Sequence, residues 1–443
     1  MHDVLNIPKS WVQATISDLG KVVSGGTPST KENSYWGGNI SWISPSDLTG
    51  YSNKYIDKGA KSITLEGLKN SSATTMPAGS IHFSSRAPIG YTVISATDMT
   101  TNQGFKSLVP AQGIFNEYIY YYFKSAKQLA ESKAMGTTFK EISGAAFSKL
   151  PVPLPPTNEQ HRIVAKIEEL FSELDKGIEN LKTARAQLKV YRQALLKHSF
   201  EGKLTSVSSD AAWPEKALGD LLDFLTSGSR GWAQYYAAAG DLFIRAQNIK
   251  HNLLELDDIA FVSLPERAEG LRAQVRKGDL LITITGANVT KSALVERDVG
   301  TAYVSQHVAL CRPTTEVFPR FLYWFIVAEA AGRKQLNDMA YGAGKPGLNL
   351  ENIRSVRVPL PKLPEQQRIV ELIEGKLSEV DQLDQTIATS LQQAVALRQS
   401  ILKKAFSGQL VAQDPHDEPA SALLARIRAE RATATVRQKG KRG

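Results

Sequence analysis

Few places in this sequence carry residue types at a spacing that could do chemistry. Gly342-Ala-Gly-Lys345 resembles part of a phosphate-cradling loop, in which backbone N–H groups and a lysine hold a nucleotide. That loop needs an earlier glycine where this chain has Met339, and serine or threonine where it has Pro346, so a plain glycine turn is the better reading. Methylation of a base amino group wants an Asp/Asn-Pro-Pro-Tyr/Phe run, which neither Leu154-Pro-Pro-Thr157 nor Asp414-Pro-His-Asp417 supplies. His2, His82, His161, His198, His251, His307 and His416 fall at no ligand spacing, and Cys311 is alone. No Gly-x-Ser-x-Gly elbow occurs, and Asp257-Asp258 are adjacent in sequence rather than convergent. The sequence therefore assigns no catalytic residue and no metal ligand, which favours a binding role.

The elements that must position any binding residues are easier to read. With 443 residues, of which 42% are hydrophobic, the chain is long enough for several cored units. A cytoplasmic protein is expected, because Met1-His2-Asp3-Val4 lacks the blocks of a signal peptide and the longest apolar runs, such as 321–328, are too short to cross a bilayer. The net charge is +9, and residues 426–443 alone contribute +6 through Arg426, Arg428, Arg431, Arg437, Lys439, Lys441 and Arg442 against Glu430. A basic tail is as compatible with plain solvation as with nucleic acid.

The informative feature is a duplication. Val152-Pro-Leu-Pro155 with Glu159-Gln-His-Arg-Ile-Val164 returns as Val358-Pro-Leu-Pro361 with Glu365-Gln-Gln-Arg-Ile-Val370, at a constant offset of 206. Carried from Glu159 to Leu204 without a gap, that offset gives 19 identities in 46 pairs, against roughly 3 from ordinary composition. Weaker echoes precede each copy, such as Trp42-Ile-Ser-Pro-Ser-Asp-Leu48 against Phe243-Ile-Arg-Ala-Gln-Asn-Ile249.

Both copies read as long helices. Apolar residues recur at alternating spacings of 4 and 3 through Ile167, Phe171, Leu174, Ile178, Leu181 and Leu188, and through Ile373, Leu377, Val380, Ile387, Leu391 and Ala394. The helix-pairing candidates are Ile167, Phe171, Leu174, Leu181, Ile373, Leu377, Val380 and Ile387. Two unrelated surface helices would show the same seam, but Arg185 aligns with Leu391 and Asp384 with Ile178, which suits an antiparallel pair related by an approximate two-fold. Gly202 and Gly408 supply C-terminal stops. From Asn158 to His198 is 41 residues, a rigid spacer of roughly 61 Å at ~1.5 Å per residue. The segments before each helix read as mixed α and β, with strands near 80–84 and 279–285 and buried aromatic helices near 115–123 and 318–327.

In order and duplication these segments resemble the specificity subunit of type I restriction-modification enzymes. The likeness rests on Ser24-Gly-Gly-Thr-Pro-Ser29, Tyr35-Trp-Gly-Gly-Asn-Ile-Ser-Trp-Ile43, the two Pro-Leu-Pro and Glu-Gln-x-Arg-Ile-Val runs, and Asp414-Pro-His-Asp-Glu-Pro419 with Leu423-Leu-Ala-Arg-Ile-Arg-Ala-Glu430. One departure is Ser41, where proline is expected. The resemblance implies a non-catalytic subunit that binds double-stranded DNA and scaffolds two methylation and two restriction-translocation subunits, with no membrane partner. S-adenosylmethionine, ATP and Mg would belong to those partners, and no cofactor to this chain. The expected fold class is α+β: two pseudo-repeated mixed α/β DNA-reading domains, 1–150 and 205–356, separated by two long antiparallel coiled-coil helices, 151–204 and 357–410, with a basic tail at 411–443.

Base reading should come from loop side chains, Arg and Lys for guanine, Asn and Gln for adenine. The DNA-binding candidates are Lys31, Asn33, Lys54 and Arg86 in the first domain, and Arg230, Arg245, Gln247, Asn248 and Lys291 in the second. The two sets differ, so the halves of a bipartite target should differ. His307 beside Gln306 could also read a base edge or simply pack. Two other classes stay open: a coiled-coil adaptor that never touches DNA, and a fused restriction-methylation enzyme.

If the helices are a spacer, four residues inserted after Glu179 lengthen one by about 6 Å at ~1.5 Å per residue. The preferred gap between half-targets should then grow by roughly one or two base pairs at ~3.4 Å each. A two-residue insertion turns the seam by roughly 200° and should be far more damaging. Methylation of duplexes with graded gaps, measured with the methylation partners present, tests this; full efficiency on the original gap alone would defeat the spacer.

Overall fold

The computed structural model describes residues 7–86, 88–136, 140–204, 213–265, 271–342, 344 and 346–440. Lys345, Lys441 and Arg442 lie outside the described residues. The chain divides into two compact units, Met1–Asn180 with Ser390–Gly443, and Leu181–Thr389. Two helices of 44 residues each, Thr157–Phe200 and Leu363–Phe406, contribute to both units. Each ends where a glycine takes positive φ, 72° at Gly202 and 73° at Gly408. The following N–H closes back on the helix, Lys203 to the His198 carbonyl at 3.0 Å and Gln409 to that of Lys404 at 2.9 Å.

In the first unit one sheet runs Gly20–Ser24, Phe105–Pro110, Ile81–Ser84, Thr92–Ser95, Tyr55–Ile56, and another runs Lys61–Ile63, Trp36–Ile43, Thr100–Thr101. Ser41 lies inside the strand Trp36–Ile43 and pairs with Ser62. Val12–Thr15 pairs antiparallel with Pro151–Leu154, bringing the proline-rich run back beside the start of the fold. The aromatic helix Asn116–Ser125 buries Tyr118, Ile119 and Phe123 with Phe83, Leu108 and Phe147. Ile163, Val164 and Ile167 from the start of one long helix enter this core, as do Ile401, Leu402, Ala405 and Phe406 from the end of the other.

The segment read as a basic tail is part of that core. Residues Ala420–Gly440 form a helix, and Ala420, Leu423, Leu424 and Ile427 are buried with the residues just named. Asp417, just before it, accepts from Arg162 at 2.6 Å and Asn158 at 3.2 Å. Arg426 is bonded to Glu418, Arg428 to Asp18 at 3.2 Å, and Arg431 to the Ser17 carbonyl. Apolar spacing inside the charged run, not solvation of its arginines, decides the outcome.

The second unit repeats the plan. One sheet runs Leu222–Ser227, Val308–Pro313, Leu280–Thr283, Ser292–Leu294, and another runs Tyr236–Ala237, Ala260–Val262, Asp241–Ile244, Ala302–Val304. The one parallel pairing of this second sheet, Phe243 with Tyr303, matches Trp42 with Thr100 in the first unit. The helix Pro319–Val327 buries Phe321, Leu322 and Phe325 with Ile369, Val370, Ile373 and Leu377 of one long helix and Leu195, Leu196 and Phe200 of the other.

The Glu-Gln-x-Arg-Ile-Val run earns its duplication through its glutamine. Phe115 and Phe318 precede the aromatic helices, and neither ring offers an acceptor for backbone N–H groups. Gln160 Oε1 accepts from Phe115 N–H at 2.8 Å while its amide donates to the Pro155 carbonyl at 3.1 Å. Gln366 Oε1 accepts from Phe318 N–H at 2.8 Å and its amide donates to Glu316 and Pro361 carbonyls at 3.2 and 2.9 Å. Both glutamines are fully buried.

The long helices pair within each unit. In the second, Arg185 binds Asp384 through two bonds of 2.7 and 3.0 Å, Arg192 binds Asp381, and Val380 and Ile387 are buried. The order of these partners makes the pair antiparallel. In the first, Arg398 binds Asp175 and lies 4.5 Å above the Phe171 ring. Leu174 and Leu181 are half-buried.

Replacing Gln160 or Gln366 by alanine strands a backbone N–H and at least one carbonyl. Each change should cost about 1–3 kcal/mol, read as a lowered urea midpoint of the unit that holds it. A midpoint within experimental error of wild type would show that the glutamines do not fasten the helices.

Candidate nucleic-acid interface

Backbone hydrogen bonds put the same turns in the same places in both units. After the strands Trp36–Ile43 and Asp241–Ile244, Ser44 N–H donates to Asp47 Oδ2 at 2.7 Å and Arg245 N–H to Asn248 Oδ1 at 3.0 Å. A second turn sits beside each: Asn102 N–H donates to the Ile43 carbonyl and Ser305 N–H to that of Ile244, both at 2.8 Å. Then Ser85 N–H meets the Gly104 carbonyl at 2.7 Å and Ile284 N–H that of His307 at 2.9 Å. Ser44 and Arg245, Gln103 and Gln306, Gly104 and His307, and Arg86 and Thr285 are thus equivalent positions. A hairpin closes each set, with bridges from Glu141 to Met135 and Arg86, and from Gly347 to Tyr341 and Thr285. Gly342 follows Tyr341 in the second hairpin as Gly136 follows Met135 in the first, with φ of 98° and 106°; Ala343 and Lys345 of the glycine-rich run lie outside the described residues.

In the second unit these turns line a recess of about 270 Å³, with Arg245, Gln247, Gln306 and His307 around it and Trp232 and Tyr236 as its aromatic side. Trp232 stacks on Phe243 with centroids 5.6 Å apart and meets Tyr303 edge-on at 5.4 Å. Arg245 donates to the Asp258 carbonyl at 3.0 Å and Gln247 to Asp258 Oδ2 at 3.2 Å. His307 Nδ1 bonds Thr285 Oγ1 at 2.5 Å. Two polar atoms of the recess-lining residues are buried without a partner among the described residues, Arg245 Nε and the hydroxyl of Ser305, a residue 5% exposed. Lys291 donates to Asn288 Oδ1 at 2.8 Å, whose amide reaches the Ala246 carbonyl at 3.4 Å, and Arg230 is exposed beside the recess-lining Ser229 and Gly231.

Asn248 does something other than read bases. It is buried, its oxygen holds Arg245 N–H, and its amide donates to Glu255 and Asp258 carbonyls at 3.2 and 3.0 Å, leaving nothing to offer a ligand. It is the counterpart of Asp47, which holds its own turn and accepts from Ala60 N–H at 2.8 Å.

The first-unit candidates are more scattered. Lys31 and Asn33 are exposed on the turn before Trp36. Lys54 binds Glu117 at 2.8 Å and Glu168, and lies 5.7 Å from the Tyr121 ring. Burial pulls its pKa down, but the hydrogen bonds it donates to the two carboxylates outweigh this and raise it, so its charge fastens a loop to two helices. Arg86 is 3.6 Å from Glu141, which Lys106 also approaches at 3.5 Å while donating to the Gln103 carbonyl at 3.3 Å. Of the four, Arg86 alone is fixed beside the turn equivalent to the recess. Sequence reasoning missed Gln103, Ser305, Trp232 and Tyr236; the recurrence of glutamine before Gly104 and His307 was the available signal, hidden by the drifting offset.

Among the described residues no group of His, Cys, Asp and Glu could hold a metal ion, and no helix is long and apolar enough to cross a membrane. Burial pushes His82 down to a pKa of about 3, and its Nδ1 is 2.9 Å from Ser107 Oγ. It packs as a neutral ring.

One fold used twice, presenting the same turns with different polar side chains, defines a recognition protein. The sequence profile of the type I restriction modification DNA specificity domain matches residues 8–183 and 212–393, and the chain belongs to this family of DNA specificity subunits. It is 36% identical over 263 residues to the type I restriction enzyme MjaIX specificity subunit of Methanocaldococcus jannaschii, a match spanning 56% of this chain and 60% of that one. It is 28% identical over 348 residues to the EcoKI specificity subunit of Escherichia coli K12, covering 73% and 74%. The fold is similar to the HsdS subunit of Thermoanaerobacter tengcongensis, with a TM-score of 0.64 at 19% identity over 91% of this chain and 98% of the other.

Adjacent amides with opposite roles give a direct test. Asn248→Ala should cost about 1–3 kcal/mol of stability, whereas Gln247→Ala, on the surface, should stay within about 0.5 kcal/mol of wild type. Urea unfolding of the two variants decides; equal losses would contradict the division of labour.

Proposed function

We propose that this chain is the non-catalytic DNA-reading subunit of a type I restriction-modification assembly, in which each unit reads one half of a bipartite target. The observation that supports it best is the pair of equivalent turns whose polar side chains differ between units. A duplicated fold gives two docking frames, and the differences give two readings. By this reading two methylation and two restriction-translocation subunits gather around the chain, and S-adenosylmethionine, ATP and Mg act on them. Cationic side chains near the turns would meet phosphates, and the amides and Arg245 would meet base edges.

Exchanging residues 1–150 for the equivalent segment of a relative should change one half of the target methylated by the reconstituted complex and leave the other half intact. Binding by wild type should fall steeply with salt, as phosphate contacts require. The chain alone, given DNA, S-adenosylmethionine, ATP and magnesium, should turn nothing over. Both halves changing together, salt-independent binding, or turnover by the isolated chain would each refute the proposal.

A further inference from the structure

The two candidate reading edges share one polar side chain. At four equivalent positions of these turns the first unit has Ser44, Gly104, Arg86 and Gln103 where the second has Arg245, His307, Thr285 and Gln306, so the glutamine alone of the four is shared. Shared glutamines elsewhere in the repeat have an internal task, since Gln160 and Gln366 are buried with both the oxygen and the nitrogen of each amide bonded to backbone. Gln103 and Gln306 have none of that kind. Gln103 is exposed, its oxygen accepting from Thr27, with no partner for its amide nitrogen among the described residues. Gln306 is half-buried at the recess, its amide 3.2 Å from His307 Nε2, with no partner for its oxygen among the described residues. The recess beside it holds the unpartnered hydroxyl of Ser305, a side chain buried beyond nine-tenths, and the unpartnered Arg245 Nε.

We infer that Gln103 and Gln306 are equivalent base-contacting residues, each reading an adenine that the two half-targets have in common, while their unlike neighbours make the rest of the halves differ. An amide presents a donor and an acceptor side by side, which matches adenine N7 and N6 in the major groove and no other base equally well. The neighbours differ for a steric reason. A Cβ at Gly104 would come within 3.0 Å of Asn102 Oδ1 and 3.1 Å of the Pro45 ring, whereas the second unit has the smaller Ser305 and Ala246 at those positions and carries the imidazole of His307. The first edge is therefore open around its glutamine, with Arg86 as the nearby cation, and the second is a walled recess with Arg245 and His307.

The inference rests on the proposed reading of the chain as a DNA-specificity subunit, and the test separates the two. The complex of full-length chain and methylation subunits is given a randomised duplex library, and the methylated target of the wild type is read by sequencing. No bipartite target at all would sink the proposed function itself. Given a target, Gln103→Ala should relax discrimination at one A·T pair in one half, and Gln306→Ala at one A·T pair in the other, each by about 5- to 150-fold with the remaining positions unchanged. Gln306→Glu, which loses the donor, should reduce the preference for adenine at the same position. Thermal melting should match wild type for all three. Unchanged discrimination, a uniform loss across all targets, or a relaxed position that is not A·T would overturn the assignment while leaving the specificity subunit intact.

Discussion

Two buried glutamine amides fix where the long helices begin, and the rest of the structure follows from that. A helix of 44 residues with charges on most of its surface cannot choose its own docking angle. Apolar residues one and two turns further on, Ile163, Val164 and Ile167 in one unit and Ile369, Val370 and Ile373 in the other, supply the energy, each stabilising by about 1.5–3 kcal/mol when fully buried. Hydrophobic burial has no direction, so it leaves rotation about the helix axis open. The bonds from Gln160 to Phe115 and from Gln366 to Phe318 close that freedom, because a backbone N–H accepts one geometry.

Register along the pair is settled differently. Arg185 and Asp384 are both about half exposed, so their pairing adds little stability. Its value lies in what the alternatives would bring together. A slide of one heptad in either direction sets Arg185 against Leu377 or Leu391, and Asp384 against Ile178 or Arg192. Three of those four meetings join a charge to an apolar side chain. One polar slot in each helix is thus enough to select a single antiparallel alignment.

The helices, their glycine stops and the doubled mixed domains were legible because each depends on spacing along the chain. The interface was not, because it depends on which polar atoms are already engaged. Gln247 and Asn248 are neighbours of nearly the same chemistry, yet the carbonyls of Glu255 and Asp258 consume one amide entirely. Lys54 looked like any loop lysine until Glu117 and Glu168 stood against it. The C-terminal segment shows the opposite fault: its arginines drew attention, while Leu423, Leu424 and Ile427, which decide its placement, were in plain sight. Trp232 and Tyr236 lie beyond such reading, since only the packing of Phe243 and Tyr303 gathers them into one wall.

The mixed ancestry of the first unit's core has a bearing on how the chain is made. Its sheets come from the first 154 residues, but Phe406, Leu423 and Ile427 belong to the same apolar cluster. A ribosome adding about 5–20 residues per second needs roughly 10–50 s to travel from Ile167 to Ile427. Through that interval the earlier-made sheets stand with part of their apolar surface uncovered, while the second unit, whose main core cluster runs from 195 to 377 and whose buried helix residues extend to Ile387, can close on itself. The unit whose sheets are made earlier is thus finished later, and a chain truncated before Leu423 would have a sound second unit and a permanently open first one.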